Sequence, residues 1–179
     1  MPEERYQQLK YGCIACRVGS EERLRWEMKD RMPNTTVIFP RKKRIRRLGG
    51  AALEEETPLF PGYVFFSTEE DRPDLREFLR KDYVFKLLTN PDGDWMLRDS
   101  DRQFVEMLFA SGGVIGFSKA FYEGDRIRIL DGFLKNYEGS IIRLNKRART
   151  AEVRVQFRGK SVSMWVGYEV LGEGDISCR

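Results

Sequence analysis

Cys13 and Cys16 stand in a C-x-x-C spacing, the arrangement in this chain that comes nearest to thiol exchange or metal ligation. A redox pair opens a helix, and a structural zinc site takes four ligands. This pair falls inside an apparent strand, residues 11–18, where an offset of three sends the two thiols to opposite faces. The other cysteine, Cys178, lies far away at the end of the chain. The 179 residues contain no histidine, which removes the commonest general base, the commonest metal ligand and the usual catalytic triads together. No phosphate-loop or nucleophile-elbow spacing occurs either. The expectation is a non-enzymatic binding protein with no catalytic residue, no metal and no cofactor.

Charge is the chemistry that remains. The formal net charge is +4. Residues 123–172 carry ten Lys/Arg against six Asp/Glu, so this segment holds the whole excess. A basic C-terminal module points to a polyanion, with nucleic acid first. A second basic stretch, residues 41–47, has six cations in seven positions and is followed after Gly49-Gly50 by Glu54, Glu55 and Glu56. It reads as a long hairpin or loop whose basic and acidic arms pair by charge, or as a nucleic-acid grip, and both can hold at once. No apolar run approaches a membrane span and no signal segment opens the chain, so a cytoplasmic protein that binds no membrane is expected.

The elements that position these groups follow from pattern. Residues 1–10 are polar and frayed, and residues 11–18 form a strand with Ile14, Cys16 and Val18 toward a core. Ser20 then caps a helix whose Leu24, Met28 and Met32 recur on one face. A strand at 35–39 precedes the charged hairpin. Pro61-Gly62 makes a turn that needs a positive φ at Gly62, and it runs into Tyr63-Val64-Phe65-Phe66, a strand apolar on both faces. A helix capped by Asp71 carries Leu75, Phe78 and Leu79. A strand at 83–88, a turn at 90–94 and a helix with Phe104, Val105, Leu108 and Phe109 follow. Two βαβ-like units over residues 1–110 make an α/β domain.

Residues 111–122 read as a linker. Beyond them the pattern becomes all β: Ile127 and Ile129, residues 140–144, the alternation of 152–157, and 162–166, with turns at Asp131-Gly132, Glu138-Gly139 and Arg158-Gly159. Short strands over residues 123–172 make a small barrel, and residues 173–179 a flexible tail.

Four features together resemble the NusG family of transcription elongation factors over nearly the whole chain. They are the first strand ending in Gly19-x-Glu21; Leu59-Phe60-Pro61-Gly62-Tyr63-Val64; Glu123-Gly124-Asp125-x-Ile127-x-Ile129 with Asp131-Gly132 and Glu138-Gly139; and their order. The resemblance implies an α+β protein, with an RRM-like NGN domain followed by an SH3-like KOW barrel. It implies docking of the NGN domain on the clamp helices of RNA polymerase through Tyr11, Cys13, Ala15, Phe60, Pro61, Tyr63 and Phe65, with Val64 and Phe66 toward the core and residues 74–77 near the opposite pincer. It implies a monomer, with DNA of the elongation complex as a further contact.

The departures matter as much. Housekeeping members read Phe-Gly-Arg where this chain has Phe157-Arg158-Gly159-Lys160, which disfavours contact with the ribosomal protein NusE or with Rho. The cationic loop Lys146-Arg147-Ala148-Arg149 is similar instead to a specialised, LoaP-like antiterminator whose barrel binds structured leader RNA. The RNA-binding residues expected on that basis are Arg126, Arg128, Lys135, Arg143, Lys146, Arg147, Arg149, Arg158 and Lys160, with Tyr137 or Trp165 stacking on a base. A general NusG-type factor that recruits NusE or Rho around Phe157 is the alternative.

Overall fold

The computed structural model describes residues 9–172. The expected frayed start, the C-terminal tail and Cys178 lie outside the described residues, apart from residues 9 and 10. The chain divides into two compact units, residues 1–40 with 60–113, and residues 41–59 with 114–179.

The first unit is built on a four-stranded sheet in the order β2-β5-β1-β6, from β1 (Lys10–Cys16), β2 (Thr36–Ile38), β5 (Tyr63–Thr68) and β6 (Val84–Leu87). β1 runs antiparallel to β5, with Cys13 opposite Phe65 and Ala15 opposite Tyr63. On one face lie α1 (Glu21–Arg31) and the short α2 (Arg76–Leu79). Leu24 and Met28 of α1 and Phe78 of α2 pack with Ile14, Cys16, Val64, Phe66 and Tyr83 into one core. Gly12 has no room for a side chain: a Cβ there would meet the Phe66 ring at 2.3 Å and Trp95 at 2.8 Å. That absence lets Phe66 and Trp95 stack, with centroids 5.3 Å apart.

The opposite face is covered too. α3 (Asp99–Ala110) buries Phe104, Val105 and Leu108, and its Phe109 ring sits 5.2 Å from Tyr11. Phe60 packs edge-on against Phe65 at 6.0 Å and meets Phe104 at 5.5 Å. β5 is therefore a strand buried on both faces, which is why its sequence does not alternate with polar residues.

Local chemistry departs from expectation at the helix starts. Ser20 precedes α1 but its hydroxyl makes no capping bond. α2 begins five residues after Asp71, with Asp74 Oδ1 accepting the Arg76 N–H at 3.2 Å. Val18, expected in the core, lies beyond the end of β1 and is 69% exposed.

The second unit contains the charged hairpin and a five-stranded sheet. β3 (Arg41–Leu48) and β4 (Ala51–Pro58) pair in full register across the Gly49-Gly50 turn. β3 also runs parallel to β7 (Val114–Ile115), and Lys42 Nζ donates to the Trp165 carbonyl at 2.6 Å. The larger sheet has the order β10-β11-β12-β8-β9. Its strands are β8 (Ser118–Glu123), β9 (Arg126–Asp131), β10 (Ile141–Asn145), β11 (Thr150–Phe157) and β12 (Lys160–Val170), with a 3-10 segment (Phe133–Ser140) between β9 and β10. Residues 118–122, expected as linker, thus belong to a strand inside this sheet. Its inward residues are the small Ser118 and Ala120, and Gly132 approaches Ser118 so closely that a Cβ on that glycine would sit 2.8 Å from it. β11 alternates as expected, burying Ala151, Val153, Val155 and Phe157.

Candidate functional site

The turn before β5 is fixed from both sides. Gly62 has φ +84°, and its N–H donates to Glu21 Oε1 at 2.7 Å while its carbonyl accepts the Cys16 N–H at 2.8 Å. The other oxygen of the Glu21 carboxylate accepts the Gly19 N–H at 2.6 Å. Glu21 is only 3% exposed, so this carboxylate is a buried brace between the end of β1 and the Pro61-Gly62 turn. Burial and the nearby Glu21 carboxylate push the Cys16 thiol up to about 11, which keeps it protonated and unreactive.

The brace fixes what the turn presents. Pro61 is exposed and Tyr63 half-buried, leaning edge-on against Phe60 at 6.2 Å. A Val18 methyl lies 3.5 Å from where a Cβ on Gly62 would stand. Across the sheet, Ala15 has Tyr63 on one side and Lys86 on the other, and Phe85, next to Lys86 at a register shift, is 67% exposed. Pro61, Tyr63, Val18 and Phe85 are the apolar groups left open here.

The remaining residues expected on that surface are not available to a partner. Tyr11, Cys13, Ala15, Phe60 and Phe65 are buried, Phe65 fully. The physical reason is α3, whose apolar stripe covers that face of the sheet. Val18 and Phe85 were missed. Val18 continues the alternation of β1 but lies past its end, and Phe85 falls at an irregularity that no periodicity foretells.

Residues 74–77, the expected second contact, are occupied internally. Asp74 holds Arg76 through Nε at 2.9 Å and Nη2 at 2.7 Å, and Glu77 is bonded by Arg31. Nearby, Glu27 accepts from Tyr83 at 2.8 Å, from Arg23 at 2.9 Å and from Lys81 at 3.1 Å. Burial alone would raise the Glu27 carboxyl, but these three partners outweigh it and hold it at about 2.

In the second unit the nine expected cations do not form one patch. The β10–β11 loop with Lys146, Arg147 and Arg149 and the β11–β12 turn with Arg158 and Lys160 lie at opposite ends of β11. Eight residues of strand separate them by about 24 Å. At the first end Lys146 Nζ stands 5.1 Å from the Tyr122 ring, and Tyr122 Oη is 2.8 Å from Tyr168 Oη. The Arg149 carbonyl accepts the Tyr168 N–H at 2.9 Å. Arg143 lies 5.9 Å from the Trp165 ring while pairing with Glu152 at 3.2 Å.

The others are dispersed. Arg128 pairs with Glu123 at 3.0 Å and Glu138 at 3.6 Å, and Lys135 donates to the Ile129 carbonyl. Arg126 sits exposed at the start of β9, opposite Glu123. Tyr137 packs with its ring tilted against Phe133, centroids 4.9 Å apart, and burial pushes its hydroxyl up to about 12. Trp165 is half-buried. Tyr122, within the segment expected as linker, is the aromatic that the structure adds to the basic end. Phe157 is buried, and the Arg158-Gly159 turn beside it has both φ values positive, +55° and +69°. Among the described residues, no cluster of three or more His, Cys, Asp or Glu could hold a metal ion, and no helix is long and apolar enough to cross a membrane.

No protein-family model and no curated protein sequence matches the chain. Among solved structures it is similar to NusG of Thermotoga maritima, determined in work on domain interaction in that protein. The two are 18% identical with a TM-score of 0.51, over 89% of this chain and 93% of that one. The fold of this chain is NusG-like and mixes helices with a larger share of strand.

Proposed function

We propose that this chain is a non-enzymatic transcription elongation factor that docks on the clamp helices of RNA polymerase and promotes processive antitermination. Its basic C-terminal unit binds structured RNA in the nascent transcript. The observation that carries the reading is the braced turn: Glu21 holds Gly62 so that Pro61 and Tyr63 stand open and apolar next to Val18. Open apolar groups on a rigid turn are what a protein partner buries. Preferential binding to a closed clamp then favours elongation by the difference in affinity between the two clamp states.

The RNA contact is narrower than the nine cations of the sequence reading. Lys146 stands over the Tyr122 ring, and with the exposed Arg147 and Arg149 of the same loop it offers the basic, aromatic surface that suits phosphates and an unpaired base. The test is transcription across a terminator, with and without the upstream leader in the template. Read-through that rises only when the leader is transcribed supports the proposal. Equal read-through on both templates favours a general factor that recruits NusE or Rho, and absence of polymerase binding overturns both.

A further inference from the structure

Two tyrosines meet at the basic end of the second unit. Tyr122 of β8 is half-buried and Tyr168 of β12 is 1% exposed, and their hydroxyl oxygens stand 2.8 Å apart. Neither hydroxyl has another hydrogen-bond partner among the described residues. Each oxygen carries its own hydrogen, so one bond between them leaves one hydrogen over. Where that spare hydrogen lies depends on which tyrosine donates.

Burial decides it. If Tyr122 donated, the spare hydrogen would sit on Tyr168, out of reach of water and without an acceptor, at the cost of its desolvation. If Tyr168 donates, the spare hydrogen sits on the half-exposed Tyr122, where water or a ligand accepts it. Burial, and then the bond to Tyr122, push the Tyr168 hydroxyl up against the opposing pull of Arg149, so it keeps its proton. Tyr168 therefore donates to Tyr122, and the Tyr122 O–H is left for a partner from outside.

The surroundings of that donor are cationic and fixed. Lys146 Nζ lies 5.1 Å from the centre of the Tyr122 ring. Its loop is held by two bonds: Asn145 Oδ1 accepts the Ala148 N–H at 2.9 Å, and the Arg149 carbonyl accepts the Tyr168 N–H at 2.9 Å. Arg149 takes φ +52°, a conformation that residues with a side chain rarely adopt. Tyr168 thus orders the Tyr122 hydroxyl with its side chain and seats the loop with its backbone. A neutral acceptor gains little from Lys146, Arg147 and Arg149. An anionic oxygen gains from all three, and from two O–H donors in series that polarise one another.

We propose that Tyr122 donates its O–H to an RNA phosphate seated among Lys146, Arg147 and Arg149, and that Tyr168 is the positioning residue that leaves this hydrogen free. The proposal rests on the reading of the second unit as an RNA binder, and it gives the Tyr122 ring a polar role besides stacking.

The test uses the full chain and a short, fluorescein-labelled RNA stem-loop of mixed sequence, with affinity measured by anisotropy over a range of KCl. The variants are Y122F, Y168F and Y122F/Y168F, which keep both rings, and K146Q/R147Q/R149Q. Far-UV circular dichroism and thermal melts check that each is folded. Y122F should bind about tenfold more weakly, the worth of one hydrogen bond to a charged acceptor. Its salt slope should stay unchanged, since a neutral donor displaces no counterion, whereas the triple variant should lower the slope. Y168F should show a smaller loss. The double variant should bind no more weakly than Y122F, because Tyr168 acts only through Tyr122. A pair that merely closes the end of the sheet would lower the melting temperature and leave the affinity of the folded variants untouched. Wild-type affinity in Y122F would therefore overturn the proposal, whether or not Y168F folds. So would losses in Y122F and Y168F that add in the double variant. A wild-type chain that does not bind the RNA, or binds it no better than the triple variant, would overturn the RNA reading itself and this proposal with it.

Discussion

The buried Glu21 carboxylate joins Gly19 and Gly62, two glycines 43 positions apart, by bonds of 2.6 and 2.7 Å. It completes the turn from β1 into α1 and fixes the turn that enters β5. Glu21→Ala leaves the buried Gly62 N–H without its acceptor and removes the bond of the more open Gly19 N–H. The expected loss is about 1–3 kcal/mol, since an unmade buried bond costs the desolvation of its donor. Glu21→Gln keeps an amide oxygen and should lose less. Urea denaturation of the three proteins measures the order.

Phe65 and Tyr63 should now separate folding from docking. Phe65 is fully buried between β1 and Phe60, so Phe65→Ala should cost about 3–5 kcal/mol, as other buried phenylalanines do. Tyr63 is half-buried, and Tyr63→Ala should cost less while weakening polymerase binding. Chemical denaturation and a pull-down with clamp helices read the two effects. A Tyr63 variant as unstable as the Phe65 variant would place that ring in the core.

Acid should expose the Glu27 network. Its folded value, about 2, lies below the ordinary 4.5. A depressed carboxyl contributes stability above its unfolded value and loses it as pH falls toward the folded one. The contribution of Glu27 is therefore complete above pH 4.5 and fades between there and pH 2. Glu27→Gln should flatten that part of the pH–stability curve, measured by thermal melts over the same range.

RNA binding should distinguish the two ends of β11. Charge reversal at Arg147 and Arg149 should weaken binding of a leader hairpin and reduce its salt dependence. Reversal at Arg158 and Lys160, about 24 Å of strand away, should leave both nearly unchanged. Neither pair should alter polymerase binding. Electrophoretic mobility shifts at two salt concentrations give the comparison.

Much of the fold was legible because its signals are local. Leu24 and Met28 declared the buried stripe of α1, Gly62 the positive φ of its turn, and the sequence of charges from Arg41 to Glu56 a paired hairpin. The site was less legible because its facts are long-range. Nothing near Tyr11 or Phe65 says that a helix nearly forty residues beyond Phe65 will cover their face. Glu21 looked like an ordinary acid in the first turn of a helix, and its partner Gly62 lies in another motif. β8 was hidden because its buried residues are small, Ser118 (against which Gly132 packs closely) and Ala120, while its aromatics are only half-buried, which inverts the usual hydrophobic signal.

The place of β12 has a consequence for how the chain is made. β12 is last in sequence but central in its sheet, antiparallel to β11 on one side and parallel to β8 on the other. Synthesis proceeds from the N-terminus, so residues 9–113 hold every strand of the first sheet while the second still lacks its middle. β8 with β9, and β10 with β11, wait as two separate pairs until β12 leaves the ribosome and joins them. A stop codon before residue 160 would thus remove a keystone rather than an edge, leaving a first unit whose strands are all present beside two unjoined hairpins.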